Sequence, residues 1–171
     1  MPPRPELPNT RNAAPPALYL IAGPNGARKT TTALTLLPDA LKLFEFVNAD
    51  EIARGLSPLN QSSVDELAAR LMIERISLLI AQRKSFAFES TMAGSSWLRR
   101  VQDARNAGYE THLLFLYVES VQVSIKRVRH RVRQGGHDMP DGVIGRRYQR
   151  GLSNLVKYYP TAFDSVLICD N

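Results

Sequence analysis

The sequence predicts an α/β protein in which a mostly parallel, five-stranded sheet lies between layers of helices. Five short apolar runs alternate with longer segments whose apolar residues recur at helical spacing. A glycine-containing loop joins the first apolar run to the first helical segment, as in nucleotide-binding α/β proteins. With 171 residues, 44% hydrophobic and 22% charged, the chain has the size and composition of one globular domain.

The strands are expected to be parallel and buried, because near-continuous apolar runs are typical of strands that helices cover on both faces. The pattern places them at 17–23, 43–50, 85–91, 111–120 and 164–170, and places helices at 29–37, 62–83, 96–107, 120–133 and 141–158. The pattern at 62–83 is the clearest, and Ser63 followed by Glu66 predicts its N-terminal cap.

The first 16 residues are rich in proline and contain no apolar core of an export signal, so we expect an extended or disordered arm before a single domain at 17–171. No apolar run approaches the roughly 18 residues that a membrane-spanning helix needs. Cys169 is the only cysteine, which excludes an intrachain disulfide. We therefore expect a cytoplasmic protein with no membrane partner.

The net charge of +6 indicates an anionic partner. Nucleic acid, nucleotides and phosphorylated sugars would all fit this charge. Because the chain lacks the interleaved basic and aromatic residues typical of single-strand binders, we expect no nucleic-acid partner.

The loop after the first strand reads GPNGARKTT and matches the phosphate-binding pattern G-x-x-x-x-G-K-[ST] except at one position. In such a loop, backbone N–H groups at a helix N-terminus surround an anion. Lys29 is expected to reach the β- and γ-phosphates, and the Thr30 hydroxyl to hold Mg²⁺. A tight turn with a capping threonine is the alternative. The predicted nucleotide-binding residues are Gly23, Pro24, Asn25, Gly26, Ala27, Arg28, Lys29, Thr30 and Thr31.

Arg28 is the departure from the pattern, since it stands where glycine allows a left-handed backbone or a close approach to phosphate. A residue with a Cβ costs about 1–2 kcal/mol in that conformation, so the fold is expected to tolerate it. Either the loop relaxes and its N–H groups no longer converge, or it holds and a long side chain lies beside the phosphate cavity. In both cases we expect weaker nucleotide binding and impaired activity.

Polar side chains follow the second and third predicted strands, at the sheet edge where α/β proteins bind ligands. Asp50 could orient an acceptor hydroxyl and take its proton during phosphoryl transfer, or cap the short helix that follows, or do both. Glu89, Ser90 and Thr91 suit contacts with a substrate, and Glu89 could also bind Mg²⁺. A polar turn into the next helix is the alternative role for Glu89, Ser90 and Thr91.

An arginine-rich region at 120–150 contains two helical patterns joined by Gly135 and Gly136. Val121, Ile125, Val128 and Val132 give the first helix an apolar face, with Arg127 and Arg131 on one flank. The second helix carries Arg146, Arg147 and Arg150. This arrangement suits a lid that closes over phosphates, and a solvated charged face is the alternative.

Taken in order, the segments GPNGARKT, FVNADEIA, FAFESTMAG, GYETHLLFLYVES and RVRHRVRQGGHDMPDGVIGRRYQRGLSNL resemble the zeta-toxin family of P-loop kinases, in its short bacterial form, over residues 17–171. The resemblance implies a three-layer P-loop kinase sandwich that uses ATP or GTP with Mg²⁺. It also implies phosphorylation of the nucleotide sugar UDP-N-acetylglucosamine and inhibition by an antitoxin protein.

The resemblance further assigns roles to single residues. It implies that Lys29 and Thr30 bind nucleotide and metal, that Asp50 is the catalytic base, and that Glu89 and Thr91 bind the acceptor. Arg131 and Arg146 fall in the region of the phosphate-contacting arginines. Two other functions stay open: a kinase for a different metabolite, nucleotide or nucleic-acid end, and a non-catalytic module that binds a nucleotide or a partner protein.

Overall fold

A parallel sheet with strand order β2-β3-β1-β4-β5 forms the centre of the protein. The computed structural model describes residues 14–136 and 138–171. All four strand pairings are parallel, so each connection must cross over the sheet, and helices supply the crossovers. The strands are β1 (Ala17–Ala22), β2 (Phe46–Val47), β3 (Phe86–Ser90), β4 (Glu110–Tyr117) and β5 (Ser165–Asp170).

Six α-helices lie in the described part of the chain, which confirms the predicted α/β fold class. They are α1 (Lys29–Ala40), α2 (Ala49–Leu56), α3 (Asp65–Ala81), α4 (Ser96–Asn106), α5 (Val121–Arg133) and α6 (Asp141–Lys157), and a short 3₁₀ helix covers Gln61–Val64. In this region, no helix is long and apolar enough to cross a membrane.

Two apolar clusters fill the space on the two faces of the sheet, because successive strand residues point to opposite faces. On one face, Phe86, Phe88 and Phe115 pack with residues of α3, α4 and α6. On the other face, Ile21 and Leu116 pack with α1 and with Tyr148 of α6. Each fully buried side chain of this size contributes about 1.5–3 kcal/mol, so these clusters fix the positions of the strand ends.

The second strand is shorter than the predicted range 43–50, because the chain leaves the sheet at Asn48. The Asn48 side chain accepts a hydrogen bond from the Asp50 backbone N–H at 2.8 Å and so caps α2. The capping alternative for Asp50 is therefore wrong, since Asp50 lies in the first turn of the helix that Asn48 caps.

The predicted cap at Ser63 is also wrong. Residues 61–64 form the 3₁₀ helix, and α3 begins after Val64 with no side-chain cap. The Ser63 hydroxyl instead donates to the Asn60 carbonyl at 2.7 Å. The start of the segment therefore winds more tightly than an α-helix.

The predicted N-terminal arm falls mostly in residues 1–13, which lie outside the described residues, as does His137 between α5 and α6. Pro16 is buried, and its carbonyl accepts a hydrogen bond from the Glu110 backbone N–H at 2.9 Å. The packed part of the chain therefore includes Pro16, just before the predicted domain start at residue 17. Arg129 of α5 and Asp141 of α6 form an ion pair that joins the two helices of the predicted lid.

Candidate functional site

A cleft of about 1320 Å³ lies at the carboxyl edge of the sheet, where the loop after β1 and the ends of β2 and β3 meet. Helices α2 and α3 line one side of the cleft, and α5 with the start of α6 lines the other. Open α/β sheets bind ligands at this edge. The topology therefore gathers the polar residues of separate sequence segments into one cleft.

The loop after β1 is held tightly by its own backbone and by β4. Gly23 has a φ of 144°, and a Cβ at this position would lie 2.4 Å from the Leu116 carbonyl oxygen. The Ala27 N–H donates to the Pro24 carbonyl at 3.2 Å. The loop leads directly into α1, whose first N–H groups have no partner inside the helix and so favour an anion.

Arg28 keeps the left-handed backbone that the pattern reserves for glycine, with φ 53° and ψ 29°. Of the two outcomes considered for this substitution, the structure shows the one in which the loop holds its conformation. The Arg28 side chain is exposed and lines the cleft. It therefore adds both positive charge and bulk beside the predicted phosphate position, and its backbone carries a strain of about 1–2 kcal/mol.

The Glu89 carboxylate, at the end of β3, connects three segments of the site. Its Oε2 accepts hydrogen bonds from the Thr30 hydroxyl at 2.7 Å and from the Asn48 Nδ2 at 2.9 Å. Its Oε1 lies 3.6 Å from the Lys29 Nζ, and these two side chains are only 11% and 6% exposed. One carboxylate thus fixes the ends of β2 and β3 against the first turn of α1.

Sequence reasoning missed Asn48, which caps α2 and also donates to Glu89. The available signal was a polar residue directly after an apolar run and just before a helical segment, in the letters FVNAD. The structure therefore places the Asn48 amide between the Glu89 carboxylate and the Asp50 backbone N–H.

The Lys29 ammonium lies in the centre of these contacts and donates to the Pro24 carbonyl at 3.1 Å. Burial lowers the pKa of Lys29, and Arg131 lowers it further. The negative charges of Glu89 and Asp50 act in the opposite direction and raise this pKa. The two carboxylates counteract only part of the effect of burial, so the pKa of Lys29 stays below its usual value.

Most of the predicted site residues line the same cleft. Asp50 is exposed at the start of α2, and Ser90, Thr91 and Arg131 are half-buried. The Ser90 hydroxyl also accepts a hydrogen bond from the Met92 N–H at 3.0 Å, which is the polar turn considered as its alternative role.

Arg146 lies outside the lining of the cleft and is exposed, whereas its neighbour Arg147 lines the cleft. An Arg147 Nη1 lies 3.5 Å from the Met139 sulfur. Further basic residues that line this side are Lys126, Arg127, His130, Arg131 and Arg133. The α5–α6 side of the cleft is therefore a basic wall, which we define by these five residues together with Arg147.

The donor atoms near Lys29 suit a magnesium ion. Mg²⁺ usually binds one or two carboxylates and completes its shell with waters and phosphate oxygens. The Thr30 hydroxyl and the Glu89 carboxylate, 2.7 Å apart, provide oxygen donors of this kind. No cluster of three or more histidine, cysteine or acidic residues that could hold a metal occurs within 14–136 and 138–171.

Residues 6–156 match the sequence model of the zeta toxin family. The chain belongs to the zeta toxin family. The predicted resemblance is therefore confirmed. An uncharacterized protein of Haemophilus influenzae is 30% identical over 126 residues, which are 74% of this chain and 88% of that protein.

Solved structures share the fold of this zeta toxin family member. The structure reported for the PezAT toxin–antitoxin system of Streptococcus pneumoniae has a TM-score of 0.70, 17% identity, and covers 95% of this chain and 72% of its own. A putative kinase of Chloroflexus aurantiacus has a TM-score of 0.67 and 18% identity, and the match covers 92% of this chain and 89% of the kinase. The AvrRxo1-ORF1:AvrRxo1-ORF2 complex with ATP has a TM-score of 0.69 and 18% identity, and the match covers 84% of this chain and 49% of the matched chain. The fold is that of the P-loop kinases.

We predict that Glu89→Gln destabilises the protein by about 3 kcal/mol, because it leaves the buried Lys29 ammonium without its nearby counter-charge. The measurement is urea unfolding at neutral pH. Glu51→Gln is the matched control, since it removes an exposed ion pair with Arg54 and should cost less than about 0.5 kcal/mol. Equal stability of the two variants would contradict the assigned role of Glu89.

We predict that Arg28→Gly binds ATP about tenfold more tightly and unfolds at a slightly higher urea concentration, because glycine relieves the left-handed strain and removes the side chain beside the loop. Isothermal titration calorimetry measures the affinity. Lys42→Gly is the control, since Lys42 is also left-handed, with φ 51°, and is not among the residues that line the cleft. The stability of Lys42→Gly should rise without a change in its ATP affinity. An unchanged ATP affinity of Arg28→Gly would contradict the interpretation that Arg28 weakens nucleotide binding.

Proposed function

We propose that this zeta toxin family member is a kinase that transfers the γ-phosphate of ATP or GTP to a hydroxyl group of a small molecule. The observation that carries the proposal is the placement of Asp50 in one cleft with Lys29, Thr30 and Glu89. This combination supplies a phosphate-binding loop, oxygen donors for Mg²⁺ and a carboxylate for the acceptor, which are the parts that phosphoryl transfer requires.

The donor side is formed by the loop at 23–31 and the basic wall. Lys29 would contact the β- and γ-phosphates, with the first N–H groups of α1 directed at the same anion. Thr30 and Glu89 would hold Mg²⁺, which would neutralise negative charge on the phosphate oxygens when bound. The ATP in the AvrRxo1 complex supports a nucleotide donor for this fold.

The acceptor side is formed by α2, α3 and the end of β3. Asp50 is exposed to the cleft, and Asn48 rather than Asp50 makes the capping hydrogen bond. In this proposal the Asp50 carboxylate would orient an acceptor hydroxyl and take its proton. Arg131, whose charge is close enough to lower the pKa of Lys29, would contact the transferring phosphate.

We propose UDP-N-acetylglucosamine as the acceptor, on the basis of family membership. The cleft of about 1320 Å³ exceeds the roughly 300–1,000 Å³ typical of a site for one small molecule, so it has room for two substrates. Met72 and Trp97 provide an apolar surface on the acceptor side.

We also propose an antitoxin protein as a partner and the cytoplasm as the place of action. The structural similarity to the toxin–antitoxin system of Streptococcus pneumoniae supports an antitoxin partner. The cytoplasmic location follows from the proposed substrates, since nucleoside triphosphates and nucleotide sugars would have to reach the cleft. A non-catalytic module that binds nucleotide through the same loop is the competing function, and Arg28 is the observation that favours it.

We predict that the purified protein transfers radiolabel from [γ-³²P]ATP to UDP-N-acetylglucosamine when Mg²⁺ is present, and that EDTA abolishes the transfer. Asp50→Asn should lower the rate at least about 100-fold with little effect on ATP affinity, because the carboxylate acts on the acceptor. Asp39→Asn, an exposed change at the end of α1, is the control and should leave the rate unchanged.

Three outcomes separate the candidate functions. Transfer to a different acceptor in a screen of metabolites would support a kinase and contradict the nucleotide-sugar proposal. ATP binding without transfer to any acceptor, even with Arg28→Gly, would favour the non-catalytic module. Full activity of Asp50→Asn would contradict the role given to this residue.

A further inference from the structure

We propose that Asn171 is a positioning residue for the phosphate-binding loop, which keeps Arg28 in its left-handed conformation by holding the Ala27 carbonyl. The Asn171 Nδ2 donates to this carbonyl oxygen at 2.6 Å, although the two residues are 144 positions apart in the chain. The role concerns the same site as the proposed kinase function and rests on it.

Asn171 is itself fixed by the sheet. It directly follows β5, and its backbone N–H donates to the Tyr117 carbonyl at the end of β4, at 3.2 Å. The amide side chain therefore extends from a residue whose backbone is hydrogen-bonded to the end of β4.

The position of the Ala27 carbonyl determines the direction of the next N–H group. The Ala27 C=O and the Arg28 N–H belong to one planar trans peptide, in which they point in opposite directions. A hydrogen bond that holds the carbonyl on the Asn171 side turns the Arg28 N–H away from Asn171. The same hydrogen bond fixes the orientation of the Ala27–Arg28 peptide plane. The Arg28 nitrogen lies in this plane, and the φ angle of Arg28 is the rotation about its N–Cα bond.

The hydrogen bond from Arg127, the close packing of Gly26 against α5 and the burial of Ala27 also hold the loop. The Gly26 carbonyl accepts a hydrogen bond from Arg127 of α5 at 3.4 Å, and a Cβ on Gly26 would lie 3.0 Å from the Ser124 carbonyl oxygen. The Ala27 side chain is fully buried. Strained backbone persists only where its surroundings leave no relaxed alternative, and these contacts provide such surroundings only together with the Asn171 hydrogen bond.

The strain at Arg28 makes the Asn171 hydrogen bond more important than it would be in a loop with glycine. Without the Asn171 hydrogen bond, Arg28 can relax to a right-handed conformation, and the Ala27–Arg28 peptide then rotates. Glycine adopts the left-handed conformation without this penalty, so a loop with Gly at position 28 would keep its shape with less support. The effects of substitutions at positions 28 and 171 must therefore depend on each other.

A double-mutant cycle in the full chain tests this dependence by calorimetric titration with Mg²⁺ and ATP. Asn171→Ala should weaken ATP binding about tenfold when Arg28 is present, and less than about threefold in the Arg28→Gly background. Asn171→Asp, which keeps the size but removes the donor, should resemble Asn171→Ala. Asp170→Ala, the preceding exposed residue of β5, is the control and should leave the affinity unchanged.

Amide hydrogen exchange of the nucleotide-free protein gives a readout that does not depend on ATP binding. The peptide covering 24–31 should exchange faster in Asn171→Ala than in Asp170→Ala. Equal exchange in these two variants, or an equal loss of affinity in both backgrounds at position 28, would overturn the proposed role. If no variant binds ATP, the proposed kinase function fails, and the exchange comparison still decides whether Asn171 holds the loop.

Discussion

The buried contact between Lys29 and Glu89 is the interaction on which the candidate site depends. An ammonium that is 6% exposed would be strongly destabilising without a nearby negative charge, and the Glu89 carboxylate provides one at 3.6 Å. The same carboxylate accepts hydrogen bonds from Thr30 and Asn48, so it joins segments that are far apart in the sequence. In the proposed function, a phosphate bound next to Lys29 would add a further negative charge to those of Glu89 and Asp50.

The backbone of the loop is the second constraint, and it works together with this ion pair. Lys29 and Thr30 reach Glu89 only because the residue before them turns the chain into α1, and that residue is Arg28 in a left-handed conformation. Contacts from β4, α5 and Asn171 hold the loop. The protein thus retains the shape of a phosphate-binding loop and carries the cost of a side chain that the shape disfavours.

Much of the fold and part of the site followed from the sequence. Alternating apolar runs and helical patterns predicted the parallel sheet, because both patterns depend on local spacing. The ends of parallel strands share one edge, which is why Lys29, Asp50 and Glu89 could be expected in one cleft. Each of these three residues can be recognised from the few residues next to it, because it directly follows an apolar run or a glycine-containing loop.

The remaining features depend on geometry that local patterns do not contain. One step along a helix turns a side chain by about 100°, so the arginine pattern could not distinguish Arg146, which is exposed, from Arg147, which lines the cleft. Asn48 and Asp50 are both good capping residues, and the point where β2 leaves the sheet decides between them. The contact of Asn171 with Ala27 depends on the packing of β5 beside β4, which no nearby residue encodes.

A crystal structure of the unaltered chain with Mg²⁺ and a non-hydrolysable ATP analogue is the most direct test that the loop is a preformed phosphate site despite Arg28. We expect the β-phosphate within hydrogen-bonding distance of N–H groups in residues 26–30, with Arg28 still left-handed and the Lys29 Nζ moved from the Pro24 carbonyl to a phosphate oxygen. An empty loop at saturating nucleotide, or a bound nucleotide with Arg28 in a right-handed conformation, would contradict it.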